Sequence, residues 1–130
     1  SKLLNLTSQS RISIQLPCDS ISWIILGSIF PIYSGLIIDN LNPETTIGYE
    51  GCDYNVRYDL ESILSFSKTD IGTCPENSGC LSLGSKPIHL SSFSIDNNKL
   101  RINGHSVMMG YLSESENQKS FYNKSLNIEI

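Results

Sequence analysis

Residues 21–38 read ISWIILGSIFPIYSGLII and carry no charged side chain. A run of this length is about what a helix needs to span a bilayer. However, Gly27, Pro31 and Gly35 interrupt it, and aspartates rather than Lys or Arg flank it, so no positive charge orients it across a membrane. Strands that are buried on both faces also form continuous apolar runs. We therefore expect no transmembrane segment and instead expect core strands at about 21–26, 28–33 and 36–39.

The composition favours strands over helices. The 130 residues include 17 Ile and 22 Ser but no Ala. Ala is the best helix former, whereas β-branched and aromatic side chains fit pleated strands. Charged residues make up 17% of the chain, which is below the usual quarter. We found no repeat or linker, and the sequence therefore predicts a single all-β domain over residues 1–130.

Alternation and turn residues predict how the strands connect. Residues 11–16, RISIQL, alternate between apolar and polar, as a half-buried strand does. Asn103-Gly104 separates two apolar-rich runs and is typical of a hairpin turn. With a turn at 96–98, it predicts a three-stranded antiparallel meander at 88–95, 99–102 and 105–112. A long loop is expected at 67–87, with a short strand at Cys80–Leu83. The predicted architecture is an antiparallel β-sandwich of jelly-roll or immunoglobulin-like topology.

The four cysteines predict that this sandwich is stabilised by disulfides. An even number of Cys in a small β domain is typical of two disulfides, with three possible connectivities. Cys74 and Cys80 flank PENSG, whose Pro and Gly favour a tight return, so we expect them to pair and Cys18 to pair with Cys52. The sequence contains no Cys-x2-Cys pair, which is the spacing typical of zinc sites. Disulfides would indicate an extracellular, cell-surface, virion-surface or periplasmic location.

Charge and motifs exclude several functional classes. The net charge is −4 and no stretch concentrates Lys or Arg, which disfavours nucleic acid as a partner. His89 and His105 have no acidic or Cys neighbours at ligand spacing, and no Gly-x-Ser-x-Gly motif is present. The sequence therefore predicts no catalytic residue, metal or cofactor. Glycosylation sequons occur at Asn5 and Asn123, but a Ser-rich chain contains about as many by chance.

Aromatic and charged residues between positions 49 and 61 form the candidate binding site. Tyr49, Tyr54 and Tyr58 alternate with polar residues that include Arg57, a mixture that suits a protein or glycan surface. The same pattern also fits a half-buried strand whose Tyr side chains pack inward. We expect a non-enzymatic, secreted or surface-exposed domain that binds a protein or glycan in adhesion or recognition. The alternatives are a structural subunit of a fibre, pilus or capsid, in which 21–38 pairs with a neighbouring chain, and a hydrolase.

Overall fold

The protein is mostly β and contains two sheets. The computed structural model describes residues 4–130, and strands are numbered in chain order. The larger sheet has seven strands in the order β2-β1-β3-β4-β5-β6-β7, and the smaller has four in the order β10-β11-β9-β8. Their bounds are β1 Arg11–Gln15, β2 Ile37–Ile38, β3 Thr45–Gly48, β4 Tyr54–Arg57, β5 Asp70–Cys74, β6 Gly79–Leu83, β7 Lys86–Pro87, β8 Ser91–Asp96, β9 Lys99–Gly104, β10 Phe121–Tyr122 and β11 Ser125–Glu129.

Helical segments connect these strands, and the segment at residues 21–34 covers one face of the larger sheet. The α-helices are α1 Ile21–Trp23, α2 Phe30–Ser34 and α3 Glu114–Ser120, and a π-helical stretch, Ile24–Ile29, joins α1 to α2. Residues 21–34 thus form one continuous helical segment, which we call helix 21–34. Short 3-10 helices occur at Leu60–Ser65 and Pro75–Asn77.

The larger sheet lies between two apolar clusters, which makes the fold three-layered. On one face, Leu26 of helix 21–34 packs with Ile47 and Ile71 of the sheet, and we call this the helix-side cluster. On the other face, Leu81 of β6 packs with Leu100 and Ile102 of β9, in what we call the sheet-side cluster. The layers are therefore helix, seven-stranded sheet and four-stranded sheet.

The prediction of an antiparallel architecture is confirmed only for the smaller sheet. In the larger sheet, four of the six neighbouring pairs are parallel, and only β5–β6 and β6–β7 are antiparallel. Jelly-roll and immunoglobulin-like sandwiches are built from antiparallel strands, so neither topology describes this sheet. Helix 21–34 provides the long crossover that the parallel neighbours β1 and β2 require, and the 3-10 helix Leu60–Ser65 lies in the crossover between the parallel neighbours β4 and β5.

The predicted core strands at 21–26 and 28–33 are wrong, because these residues are helical. Ser20 caps the helix, since its Oγ accepts a hydrogen bond from the Trp23 N–H at 3.1 Å. Gly35 ends the helix in the left-handed conformation, with φ of 69°. Only the end of the run, Ile37–Ile38 within the predicted strand 36–39, is a strand.

The meander prediction is correct for its first turn and wrong for its second. β8 and β9 form an antiparallel hairpin in which Asp96 pairs with Lys99, and Asn97 and Asn98 both have positive φ, as a two-residue type I′ turn requires. Gly104, by contrast, remains within β9, where it pairs with Ser91. The second neighbour of β9 is β11 rather than a strand at 105–112.

The predicted disulfides are absent, and all four thiols are free. Cys74 and Cys80 lie on adjacent antiparallel strands, but Cys74 belongs to the sheet-side cluster and Cys80 packs against the helix-side cluster. A disulfide needs Cβ atoms about 4 Å apart on the same side of the strands, so side chains on opposite faces cannot be joined. Cys18 is exposed, and the Cys52 Sγ lies 3.4 Å from the Glu50 carbonyl oxygen instead of contacting another sulfur.

We expect alkylation to distinguish these thiols. Burial raises the pKa of Cys74 to about 11 and that of Cys80 also to about 11. Because the thiolate is the reactive form, iodoacetamide at pH 7.5 should modify Cys18 at least about 100-fold faster than Cys74 or Cys80. Peptide mass spectrometry before and after unfolding in guanidinium measures this difference, and four labels are expected after unfolding. Recovery of a Cys74–Cys80 disulfide peptide from non-reduced protein would contradict the structure.

Candidate functional site

The candidate site lies where three parallel strands end and helix 21–34 begins. β1, β3 and β4 run parallel, so their carboxyl ends meet at one edge of the sheet. Tyr49 directly follows β3, Tyr58 directly follows β4, and the turn after β1 leads into the helix. In sheets with parallel strands, this edge is where ligands commonly bind.

Two of the predicted binding residues meet at this edge. The rings of Tyr49 and Tyr58 lie with their centroids 6.0 Å apart and their planes tilted by 54°. Their hydroxyl oxygens are 3.5 Å apart, and the Tyr58 hydroxyl is 2.6 Å from the Oγ of Ser22. Both tyrosines keep 39% or more of their surface exposed. We call Ser22, Tyr49 and Tyr58 the tyrosine cluster.

The Tyr49 hydroxyl is neutral at physiological pH. Its hydrogen bond with Tyr58 raises the pKa of Tyr49, and partial burial and the negative charge of Asp19 raise it further. A neutral phenol can both donate and accept a hydrogen bond. The cluster therefore presents two aromatic rings and the hydroxyls of Tyr49 and Tyr58 to solvent, while Ser22 lies buried behind them.

Arg57, the third predicted binding residue, is engaged in contacts within the protein. Its Nε donates to Asp59 at 2.9 Å, and its Nη1 donates to the buried Asp70 at 3.2 Å. The guanidinium carbon also lies 4.7 Å from the centroid of the Phe66 ring, within range of a cation–π interaction. The hydrogen bond to Asp59 raises the pKa of Arg57. These contacts give Arg57 a structural role.

Tyr54, the fourth predicted residue, lies away from the cluster. It is the first residue of β4, whereas Tyr58 follows the last. The ring of Tyr54 packs against the helix-side cluster, and its hydroxyl donates to the Leu4 carbonyl at 3.1 Å. The alternative interpretation, in which tyrosines of this segment pack inward, thus applies to Tyr54 and not to Tyr49 or Tyr58.

Sequence reasoning missed the contribution of residues 19–22. Ser22 is buried and bonds to Tyr58, while Asp19 and Ser20 are near enough to affect the pKa of Tyr49. The signal was the pattern Asp-Ser-Ile-Ser, which is typical of a helix start. Recognising a helix start there would have placed these residues next to the ends of neighbouring strands.

Residues 4–130 show no feature of two other classes of site. That part of the chain contains no helix that is both long and apolar enough to cross a membrane. It also brings together no group of three or more His, Cys, Asp or Glu side chains that could hold a metal ion. No protein-family model matches the chain, and no curated protein or solved structure shows detectable similarity to it.

Proposed function

We propose that this protein is a non-enzymatic recognition domain that binds a glycan or protein partner through the tyrosine cluster. The observation that carries the proposal is the exposed, neutral Tyr49–Tyr58 pair at the carboxyl edge of the parallel strands. A β-sandwich-like scaffold, in which two sheets pack over the sheet-side cluster, would support this edge. Binding residues are commonly found on such loop ends, held in place by a rigid scaffold.

The chemistry of the cluster favours a glycan over a charged partner. Tyr rings offer a large apolar face together with a polar hydroxyl, and a sugar ring presents a complementary C–H face and hydroxyl groups. The exposed hydroxyls of Tyr49 and Tyr58 can donate to and accept from sugar hydroxyls without desolvating a full charge, which would be costly. The buried Ser22 hydroxyl holds that of Tyr58 in place. A neutral protein surface with exposed amides could make similar hydrogen bonds.

A location outside the cytosol remains part of the proposal. The free thiols remove the argument from disulfides, so an extracellular, cell-surface, virion-surface or periplasmic location now rests on the proposed recognition of surface glycans or proteins. No observation on the described residues supports the alternative that the protein is a hydrolase.

Substitution of the two tyrosines tests the proposal. The double variant Tyr49→Ala, Tyr58→Ala should lose at least about 90% of the wild-type signal on a glycan array, because aromatic anchors contribute most of the binding free energy in such sites. Since both rings are about half exposed, the melting temperature should fall by only a few degrees. The conservative variant Tyr49→Phe, Tyr58→Phe should retain the stacking surface and lose only the hydroxyl contribution.

Leu112→Ala serves as the control, because Leu112 is fully exposed and lies outside the cluster. It should bind like the wild type. If the wild type binds no glycan on the array and captures no protein from cell-surface extract, the proposal fails. Wild-type binding by the double alanine variant would locate the binding surface elsewhere.

A structural subunit is the second candidate function. The observation that favours it is the exposed apolar side of helix 21–34 together with the uncovered edge strand β2. Both lie within the segment that the sequence suggested for pairing with a neighbouring chain.

A further inference from the structure

Helix 21–34 is apolar on both of its sides. Its inner side, including Leu26 and Phe30, packs on the sheet. Its outer side exposes five large apolar residues, among which Ile32 is 80% and Tyr33 92% exposed. A helix that is apolar all round is normally covered all round. We call the outer side the apolar face: Ile21, Ile24, Ile29, Ile32 and Tyr33.

β2 is an edge strand of two residues that contains neither a charged residue nor Pro. It pairs with β1 on one side, and no strand of residues 4–130 lies on its other side. The opposite edge of the same sheet is β7, which consists of Lys86 and Pro87, two residue types that block further strand pairing. β2 instead consists of Ile37 and Ile38, both exposed. The two edges therefore differ in the way expected if one faces solvent and the other faces a protein.

We propose that a second copy of this chain covers the apolar face in a two-fold dimer. No residue from 20 to 38 is charged, so a two-fold contact between identical faces brings no like charges together. Such a contact is self-complementary, as a two-fold interface must be. A partner that binds through charged side chains would require opposite charges on this face, and the face contains none.

The size of the apolar face is compatible with a dimer. An aliphatic side chain contributes roughly 100 Å² of apolar surface and an aromatic one roughly 200 Å². Scaled by the exposed fractions of the five residues, the face offers roughly 400 Å² per copy. A standard interface buries about 800 Å² per partner, of which about 65% is apolar in homodimers. The face therefore supplies most of the apolar area that such an interface buries.

The mass of the full 130-residue chain in solution tests this inference. Sedimentation equilibrium between about 1 and 100 µM, a range that covers moderate dimer affinities, should give twice the monomer mass of 14.4 kDa at the upper end. Ile32→Glu and Tyr33→Glu should each raise the dimer dissociation constant at least about 100-fold, because each places two unpaired carboxylates in the interface. Both side chains are exposed, so circular dichroism should remain unchanged.

Leu112→Glu is the matched control, since it introduces the same charge at another fully exposed apolar residue, outside the face. It should dimerise like the wild type. The inference would be overturned if the wild type were monomeric at every concentration, or if Leu112→Glu weakened the dimer as much as Ile32→Glu and Tyr33→Glu do. If the protein instead stayed monomeric and bound phosphatidylcholine vesicles, and Ile32→Glu abolished this binding, the face would be assigned to lipid. The Tyr49→Ala, Tyr58→Ala variant should still dimerise, which separates this inference from the proposed binding function.

Discussion

Replacing Gly104 by Ala is expected to destabilise the protein by about 3 kcal/mol or more. Gly104 has φ of 142°, a conformation that L-amino acids rarely adopt. A Cβ at this position would lie 2.4 Å from the Leu90 carbonyl oxygen and 2.8 Å from the Ser91 Cα, both of which are backbone atoms. Relieving these overlaps requires β8 and β9 to separate at their paired ends. Urea denaturation monitored by circular dichroism measures the change in the free energy of unfolding.

Gly51→Ala is the matched control for this substitution. Gly51 also has positive φ, 67°, but within residues 4–130 no atom outside its two chain neighbours lies within 4 Å of a Cβ at its position. Gly51→Ala should lower the free energy of unfolding only by the conformational penalty of a left-handed residue, about 1–2 kcal/mol. The difference in this free energy between the two variants measures the effect of the close approach of β8 to β9. Equal losses in the two variants would show that this approach is not present in solution.

Leu100→Ala should cost about 2–5 kcal/mol, the range measured for Leu truncation in cores. Leu100 has no exposed surface and belongs to the sheet-side cluster. It lies on β9, between β8 and β11, where Ile95 and Ile128 are its cross-strand neighbours. Truncation would leave a cavity between the two sheets. In a chain of this size, a loss of 3 kcal/mol lowers the melting temperature by roughly 10 °C.

Leu112→Ala makes the same chemical change at a fully exposed position. It should leave the free energy of unfolding within about 0.5 kcal/mol of the wild type, as surface substitutions usually do. If Leu100→Ala were equally mild, the small sheet would not pack on the large one as described. Thermal denaturation of both variants at the same low protein concentration allows the comparison.

Composition correctly predicted that the protein is mostly β, but not the structure of its most apolar segment. Residues 21–38 contain a cap at Ser20 and a left-handed Gly35, which are helix signals. The prediction gave more weight to Pro31 as a helix breaker. The structure accommodates Pro31 because the preceding stretch is π-helical, and the Phe30 N–H donates to the carbonyl of Ile25, five residues earlier. Local propensity alone does not predict such a turn.

The predicted loop at 67–87 contains three strands because tertiary contacts override turn propensity. β5 reads DIGTC, and all five of its residues are buried, so neither alternation nor an apolar run marks it as a strand. Gly72 lies directly opposite Ser82, where a Cβ would be 2.3 Å from the serine Oγ. The glycine that indicated a turn thus serves close packing within the sheet. Only the short strand at 80–83 was predictable.

Half of the candidate site could be predicted from the sequence. The segment that holds Tyr49 and Tyr58 was identified by its mixture of aromatic and polar residues, but strand ends decide which side chains meet. Tyr58 follows β4 and reaches Ser22 at the helix start, while Tyr54 begins β4 and contacts the Leu4 carbonyl instead. The contact between residues 22 and 58 depends on parallel pairing across the sheet, which no local pattern shows.

The π-helical stretch Ile24–Ile29 contains one residue more than an α-helix would use for the same rotation. An α-helix turns by about 100° per residue, and a π-helical turn contains one residue more than an α-helical turn. Deleting one residue between 24 and 29 would therefore let the stretch close as an α-helix and leave the later side chains on nearly the same side of the helix axis. Phe30, which packs on the sheet, and Pro31, which is buried, would still face inward, whereas one further inserted residue would turn both away by about 100°. This stretch can therefore lose one residue more readily than it can gain one.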